Sequence, residues 1–116
     1  MKVSRSVLLI TVVLLLGGAV AIALTVNAPH PDPYVASVMT LQGDGAQGRI
    51  IFENNCSGCH GLDAKGEVGP SLMKVSQRRS DTQLITQVVS GKTPPMPSFQ
   101  LEPQQMADLL EYLKKL

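Results

Sequence analysis

The residues of this chain best suited to chemistry lie together at 55–61, Asn-Cys-Ser-Gly-Cys-His-Gly. Two cysteines separated by two residues and followed at once by a histidine form the attachment signature of a c-type haem. Both thiols add across vinyl groups of the porphyrin, and the adjacent imidazole reaches the iron. The order carries the logic. Thioether bonds from Cys56 and Cys59 fasten the porphyrin edge to one helical turn, so His60 is delivered beneath the iron without a long-range fold to place it. Two other uses of these residues compete with this one. A thioredoxin-like dithiol opens a helix in a strand-helix-strand unit, and no such alternation surrounds Cys56. A closed zinc site wants four ligands, and the remaining histidine, His30, lies far off in a proline-rich segment. Neither rival requires a histidine directly after the second cysteine, so haem attachment is the reading adopted.

The elements that must position this motif are few. The chain has 116 residues, and much of its apolar content falls in the first 26, leaving a polar remainder with two tyrosines, two phenylalanines and no tryptophan. A domain of about 70 residues seldom buries enough surface to be stable through side chains alone and usually recruits a staple. A covalent haem would supply that core. Both cysteines of the sequence are in the haem motif, so no disulfide framework remains. Ten basic residues against nine acidic ones give a net charge of +1, which argues against a nucleic-acid binder whose affinity comes from phosphate neutralisation. The sequence has no phosphate loop, paired-carboxylate arrangement or nucleophile-base pair.

Lys2 and Arg5 precede an uncharged run from Val7 to Val26, interrupted by Thr11 and Thr25 as its polar residues. As a helix, such a run is long enough to cross about 30 Å of hydrocarbon. Small-residue triplets at 21–23 and 26–28 leave signal-peptide cleavage open, but a secretory apolar core is usually about 7–15 residues, which favours a retained anchor over 1–26. Either reading keeps the N-terminus cytoplasmic and sends the rest across, to a periplasm or a photosynthetic lumen. Residues 27–44 read as a linker, because Pro29, Pro31 and Pro33 alternate and favour extended backbone that could reach on the order of 50 Å. His30 is read as a solvated linker residue. Met39 and Leu41 are candidates to pack on the domain or on a partner.

The spacing predicts a helix over 46–55, another after the capping-box pair Ser80 and Gln83 with Leu84, Ile85, Val88 and Val89 on one face, and a last one over 103–115 with Met106, Leu109, Leu110 and Leu113 recurring at helical intervals. With these in place the region 45–116 resembles a class I cytochrome c. The resemblance rests on Gly48 and Phe52 before the motif, on Cys56-Ser57-Gly58-Cys59-His60, on Gly69-Pro70-Ser71-Leu72, on Met96-Pro97-Ser98-Phe99 and on the closing Leu-Leu-Glu-Tyr-Leu-Lys. It implies a small all-α fold packed around one covalent haem c. In that fold the first helix would cross the last at Gly48 and Phe52, against Leu109 and Tyr112. It also implies that the Pro70 carbonyl accepts a hydrogen bond from the second ring nitrogen of His60, and that Met96 is the sixth iron ligand, held by a loop that three prolines stiffen. Glu102 departs from the family's usual capping residue, which predicts fraying there. Lys65, Lys74, Arg78, Arg79 and Lys92 form a basic cluster that could face an acidic partner, a haem propionate or solvent.

The anchored form is similar to the cytochrome M type of cyanobacteria and to other tethered class I cytochromes. The resemblance thus implies a single-pass, His/Met-ligated monohaem electron carrier rather than an enzyme. Its expected partners are a quinol-oxidising complex, a terminal oxidase or a photosynthetic reaction centre. The alternative is a fixed cytochrome subunit of one larger membrane complex.

Overall fold

The computed structural model describes residues 4–26 and 32–116. They fall into two separate units, divided after residue 30. The first is a single helix, α1 (Arg5–Val26), with every described side chain exposed. At 22 residues it would be about 33 Å long. It is long and apolar enough to cross a membrane, a property shared by anchors and signal sequences. Its two threonine hydroxyls are satisfied internally, Thr11 donating to the Leu8 carbonyl and Thr25 to that of Ile22, each at 2.8 Å. That is how a polar side chain is tolerated in hydrocarbon.

The second unit is all helical, with no strand among the described residues. Its elements are α2 (Pro33–Met39), α3 (Gly45–Asn55), the single turn α4 (Ser57–His60), a 3₁₀ turn (Val75–Gln77), α5 (Asp81–Ser90) and α6 (Pro103–Leu113). The framework is the crossing of α3 on α6. Gly48 permits it: a Cβ there would collide with the Asp108 carbonyl and press on Tyr112. One turn later the Phe52 and Tyr112 rings meet with centroids 5.3 Å apart, tilted by 46°. Met106, Leu109, Leu110 and Leu113 of α6 and Leu84, Ile85 and Val88 of α5 complete the buried core. A single small core of this kind matches a short sequence that is poor in aromatics.

Two expectations are corrected here. Residues 33–39, read as part of an extended linker over 27–44, form a helix; Pro29, His30 and Pro31 lie outside the described residues. The Asp32 carboxylate accepts hydrogen bonds from the Tyr34 and Val35 amides at 2.8 and 3.4 Å, so Pro33 occupies the first helical position, where its missing N–H costs nothing. Val35 and Val38, three apart, are buried, and the Tyr34 hydroxyl donates to the Leu101 carbonyl at 2.7 Å. Met39 and Leu41 remain exposed. The second correction concerns the start of α6. The Gln105 side chain accepts from the Glu102 amide at 3.1 Å and closes the turn that was expected to fray.

The α5 helix starts as its sequence requires, with Ser80 and Gln83 exchanging side-chain-to-backbone bonds at 3.0 and 3.3 Å. It ends at Gly91 in the left-handed conformation, φ +54°. The buried Asp108 carboxylate, not anticipated from the sequence, accepts from the Asp44 amide at 2.8 Å and from the Gln104 amide group at 2.9 Å. It thereby ties the entry of α3 to the middle of α6.

Candidate functional site

Cys56 closes α3 and opens α4, and the next four residues make one tight turn. The amides of Cys59 and His60 both donate to the Cys56 carbonyl, at 3.2 and 3.0 Å, and Gly61 ends the turn at φ +80°. The two thiols and the imidazole therefore come from one turn of backbone, as the sequence spacing demanded. Cys59 is exposed and Cys56 half-buried; burial first, and the neighbouring Cys59 second, push the Cys56 thiol up to about 11.

His60 is buried and its ring is held from two sides. Nδ1 donates to the Pro70 carbonyl at 2.8 Å. A carbonyl can only accept, so Nδ1 carries the proton and Nε2 keeps a free lone pair, the form in which a neutral imidazole binds a metal. The backbone of Gly69 lies flush against the ring: a Cβ at that position would stand 2.8 Å from Cε1 and 2.9 Å from Nδ1. That backbone is fixed in turn, with the Gly69 amide donating to the Cys59 carbonyl at 2.6 Å and the Gly66 amide to that of His60 at 2.8 Å. Arg78 straps the following residues, donating to the Met73 and Ser71 carbonyls at 2.7 and 3.2 Å.

Cys56, Cys59 and His60 open onto a cavity of about 510 Å³. That is within the range of roughly 300–1,000 Å³ typical of cofactor and small-molecule sites. Val75, Leu84, Val88, Leu109 and Leu113 supply apolar wall, and Met96 lines the same cavity. The Met96 loop hangs from the end of α5. The Phe99 amide donates to the Val88 carbonyl at 3.0 Å, and a Cβ on Gly91 would press against Pro97 and Ser98. The Met96 sulfur accepts from the Gln87 side chain at 3.4 Å. Met106, by contrast, is fully buried in the α6 stripe. Among the described residues no three His, Cys, Asp or Glu side chains gather as a metal-ion cluster. Two thiols, an imidazole with a free Nε2 and a thioether around one apolar cavity are a donor set that suits an iron porphyrin.

The family described as cytochrome c oxidase, cbb3-type, subunit III matches residues 43–113. A cytochrome c-553-like protein of Synechocystis sp. is 61% identical over 85 residues, which cover 73% of this chain and 81% of that one. The chain belongs to the class I cytochrome c family. Cytochrome c-550 of Bacillus subtilis is 30% identical over 66 residues, 57% of this chain and 54% of that protein. The crystal structure of cytochrome cL from Hyphomicrobium denitrificans superposes with a TM-score of 0.54 at 29% identity, covering 71% of this chain and half of the other. As a c-type cytochrome the protein is an electron carrier, and its family implies covalently bound haem c.

Within this cytochrome the basic cluster divides. Arg78 and Arg79 line the cavity, Lys65 pairs with Asp63 at 2.8 Å, and Lys74 and Lys92 are exposed. Three residues that act near or behind the site escaped sequence reasoning: Gln87, Asp108 and the Tyr34 anchor of α2. Gln87 left a faint signal, a polar residue one turn after Gln83 at the border of the apolar face of Leu84 and Val88.

Proposed function

We propose that the cytochrome carries one haem c, bound through thioethers from Cys56 and Cys59, with His60 and Met96 as axial ligands. It would transfer single electrons between membrane redox complexes while tethered by α1. The observation that carries this reading is that one apolar cavity is lined by both cysteines and His60 as well as by Met96. When bound, the haem iron supplies a one-electron Fe(II)/Fe(III) couple, and thioether ligation favours the reduced side.

The chain's own residues do the rest. The Pro70 carbonyl holds the His60 proton on Nδ1 and keeps Nε2 basic. The apolar walls of Val75, Leu84 and Leu109 exclude water, and with both His60 and Met96 holding the iron no coordination position would be left for a substrate. By the positive-inside tendency Lys2 and Arg5 keep the N-terminus cytoplasmic, so the haem domain works in the periplasm or thylakoid lumen. Partners of the expected kind are a quinol-oxidising complex and a terminal oxidase or photosynthetic reaction centre.

Two measurements on the purified holoprotein test the site. Denatured in acid-acetone, the polypeptide should keep its pigment, and Cys56→Ala with Cys59→Ala should lose it. The native protein should show the methionine–iron charge-transfer band, and Met96→Ala should abolish it. Pigment extracted from the native chain would overturn the covalent reading, and absence of the band would overturn Met96.

A second reading is favoured by the family's description as an oxidase subunit: a fixed cytochrome of one membrane complex. The helix α2 supports it modestly by removing residues 33–39 from the segment that could act as a leash. Mild detergent extraction followed by sizing separates the two. A lone small species supports the shuttle, and steady co-migration with large subunits supports the fixed subunit.

A further inference from the structure

We propose that residues 32–44 are a clamp that keeps the membrane tether short, so that the cytochrome exchanges electrons with proteins seated in the same membrane whose docking face stands low over the bilayer. The inference rests on the reading of α1 as a retained anchor. The helix α2 has seven residues. One of that length is not stable in water by itself, so its helicity and its docking are a single event. Val35 and Val38 fix it in the core, and the Tyr34 hydroxyl ties its first turn to the Leu101 carbonyl, just ahead of α6. The chain beyond α2 is pinned as well. The Gln104 side chain donates to the Gln42 carbonyl at 3.0 Å, the backbone at Gly43 lies so close to the Ala107 carbonyl that a Cβ has no room, and the Asp44 amide donates to the buried Asp108. The partners advance in step, Leu101, Gln104, Ala107 and Asp108. From the Asp32 cap to the start of α3 the segment is therefore held to α6, and none of it is spare as leash.

Five residues, 27–31, remain between the end of α1 and the cap. Covalent geometry limits them to about 20 Å, however their backbone runs and whatever the arrangement of the two units. Released as far as residue 44, the tether would comprise 27–44 and could span about 60 Å. The effective concentration of a tethered domain at a site within reach falls roughly as the −3/2 power of tether length, so the clamp raises it about sevenfold. Sites carried high on tall extramembrane domains lie out of range. The partner is thus defined by position, as a membrane-integral redox protein whose electron-transfer face opens close to the lipid surface.

The test uses the full-length holoprotein in phosphatidylcholine vesicles that carry a fluorophore on the lipid headgroup, which the haem quenches by energy transfer at short range. The native protein should quench most. Inserting about 13 glycine and serine residues after Ala28 restores the longer tether without touching the domain, and its mean span, about twofold greater, should be read as a loss of quenching. Val38→Asp, which places a charge in the core and releases α2, should lose quenching to a similar extent with haem still attached. Hydrogen exchange on the native vesicle-bound protein supplies a readout that no variant can spoil by misfolding: the Ala36 amide, which donates to the Asp32 carbonyl at 2.9 Å, should be protected. In native membranes holding equal amounts of cytochrome, the insert should slow oxidation of the reduced protein by up to about sevenfold.

Equal quenching by the native and insert proteins, or an Ala36 amide that exchanges as in an unstructured chain, would overturn the clamp and leave the anchor standing. An insert protein oxidised as fast as the native one would overturn the membrane-seated partner. A mature chain whose mass lacks residues 1–26 would overturn the anchored reading, and the clamp with it.

Discussion

The two sides of the cavity are built on different principles. On the His60 side, residues 59–78 are laced by backbone and side-chain bonds. Gly66 donates to His60, Gly69 to Cys59, Ala64 to Gly61 and Leu72 to Ala64, and Arg78 closes the segment by donating to Ser71 and Met73. On the Met96 side, Thr93 to Phe99 is governed by three prolines that lock their own backbone angles and by a few bonds to α5. One side is fixed by redundancy and the other by stiffness with little backup. An imidazole is a strong ligand whose orientation and basicity need support, whereas a thioether is a weak one that must be presented at the right place. Damage to the first side should therefore spread through stability and haem binding together, and damage to the second should remain a local loss of ligation.

The harshest way to break this contrast is Gly69→Ala. The new Cβ would sit 2.8 Å from the imidazole and 3.2 Å from the Cys59 carbonyl, the first already bonded to Pro70 and the second to the Gly69 amide itself. Overpacking of this kind costs about 3 kcal/mol, read as a fall in thermal midpoint. Displacing the ring would also stretch the bond to Pro70, reduce the basicity of Nε2 and raise the potential. A Gly69→Ala protein with native stability and potential would show that the backbone on this side yields easily.

On the other side the matching change is Gly91→Ala. Its φ of +54° is left-handed, and a Cβ there would lie 2.5 Å from the Ser98 amide nitrogen. The left-handed conformation alone costs about 1–2 kcal/mol, the clash with the Ser98 and Pro97 backbone adds to it, and the push falls on the loop carrying Met96. The expected outcome is a weakened or absent methionine–iron band with haem still attached and His60 still bound. Equal loss of haem and band would mean that the two sides are mechanically one.

The same contrast explains what could be read from the chain before its fold was known. The Cys56–His60 turn, the Ser80–Gln83 cap and the α6 stripe were legible because each is decided within one or two helical turns. Gly48 was legible for the same reason, at a fixed distance from Phe52 and Cys56. The α2 helix was not. The alternating Pro29, Pro31 and Pro33 suggest an extended segment, and what makes 33–39 helical is a cap at Asp32 together with a hydroxyl bonded to a carbonyl 67 residues away. Asp108 hid as one charge in an otherwise apolar stripe, because its backbone partner at Asp44 lies 64 residues earlier. Gln105, three residues after Glu102, could have signalled that the α6 start was capped from the far side. Local chemistry is written locally; residues whose partners come from another helix are invisible until the chain folds.

The finest distinction concerns Arg78. Its guanidinium joins two carbonyls across the loop that bears Pro70, and the side chain is exposed, so water can replace each bond in part. Removing it in Arg78→Ala should cost about 1 kcal/mol. Lysine, with a single ammonium and no fork, should recover at most about half of that. The potential should move by less than about twofold, since the Gly69 and Leu72 amides still hold the backbone on either side of Pro70. Faster hydrogen exchange at the Leu72 amide would report the loosened strap. A shift in potential as large as that of Gly69→Ala would mean that the His60 side depends on one arginine after all, and that its many other bonds follow from that clamp rather than share its work.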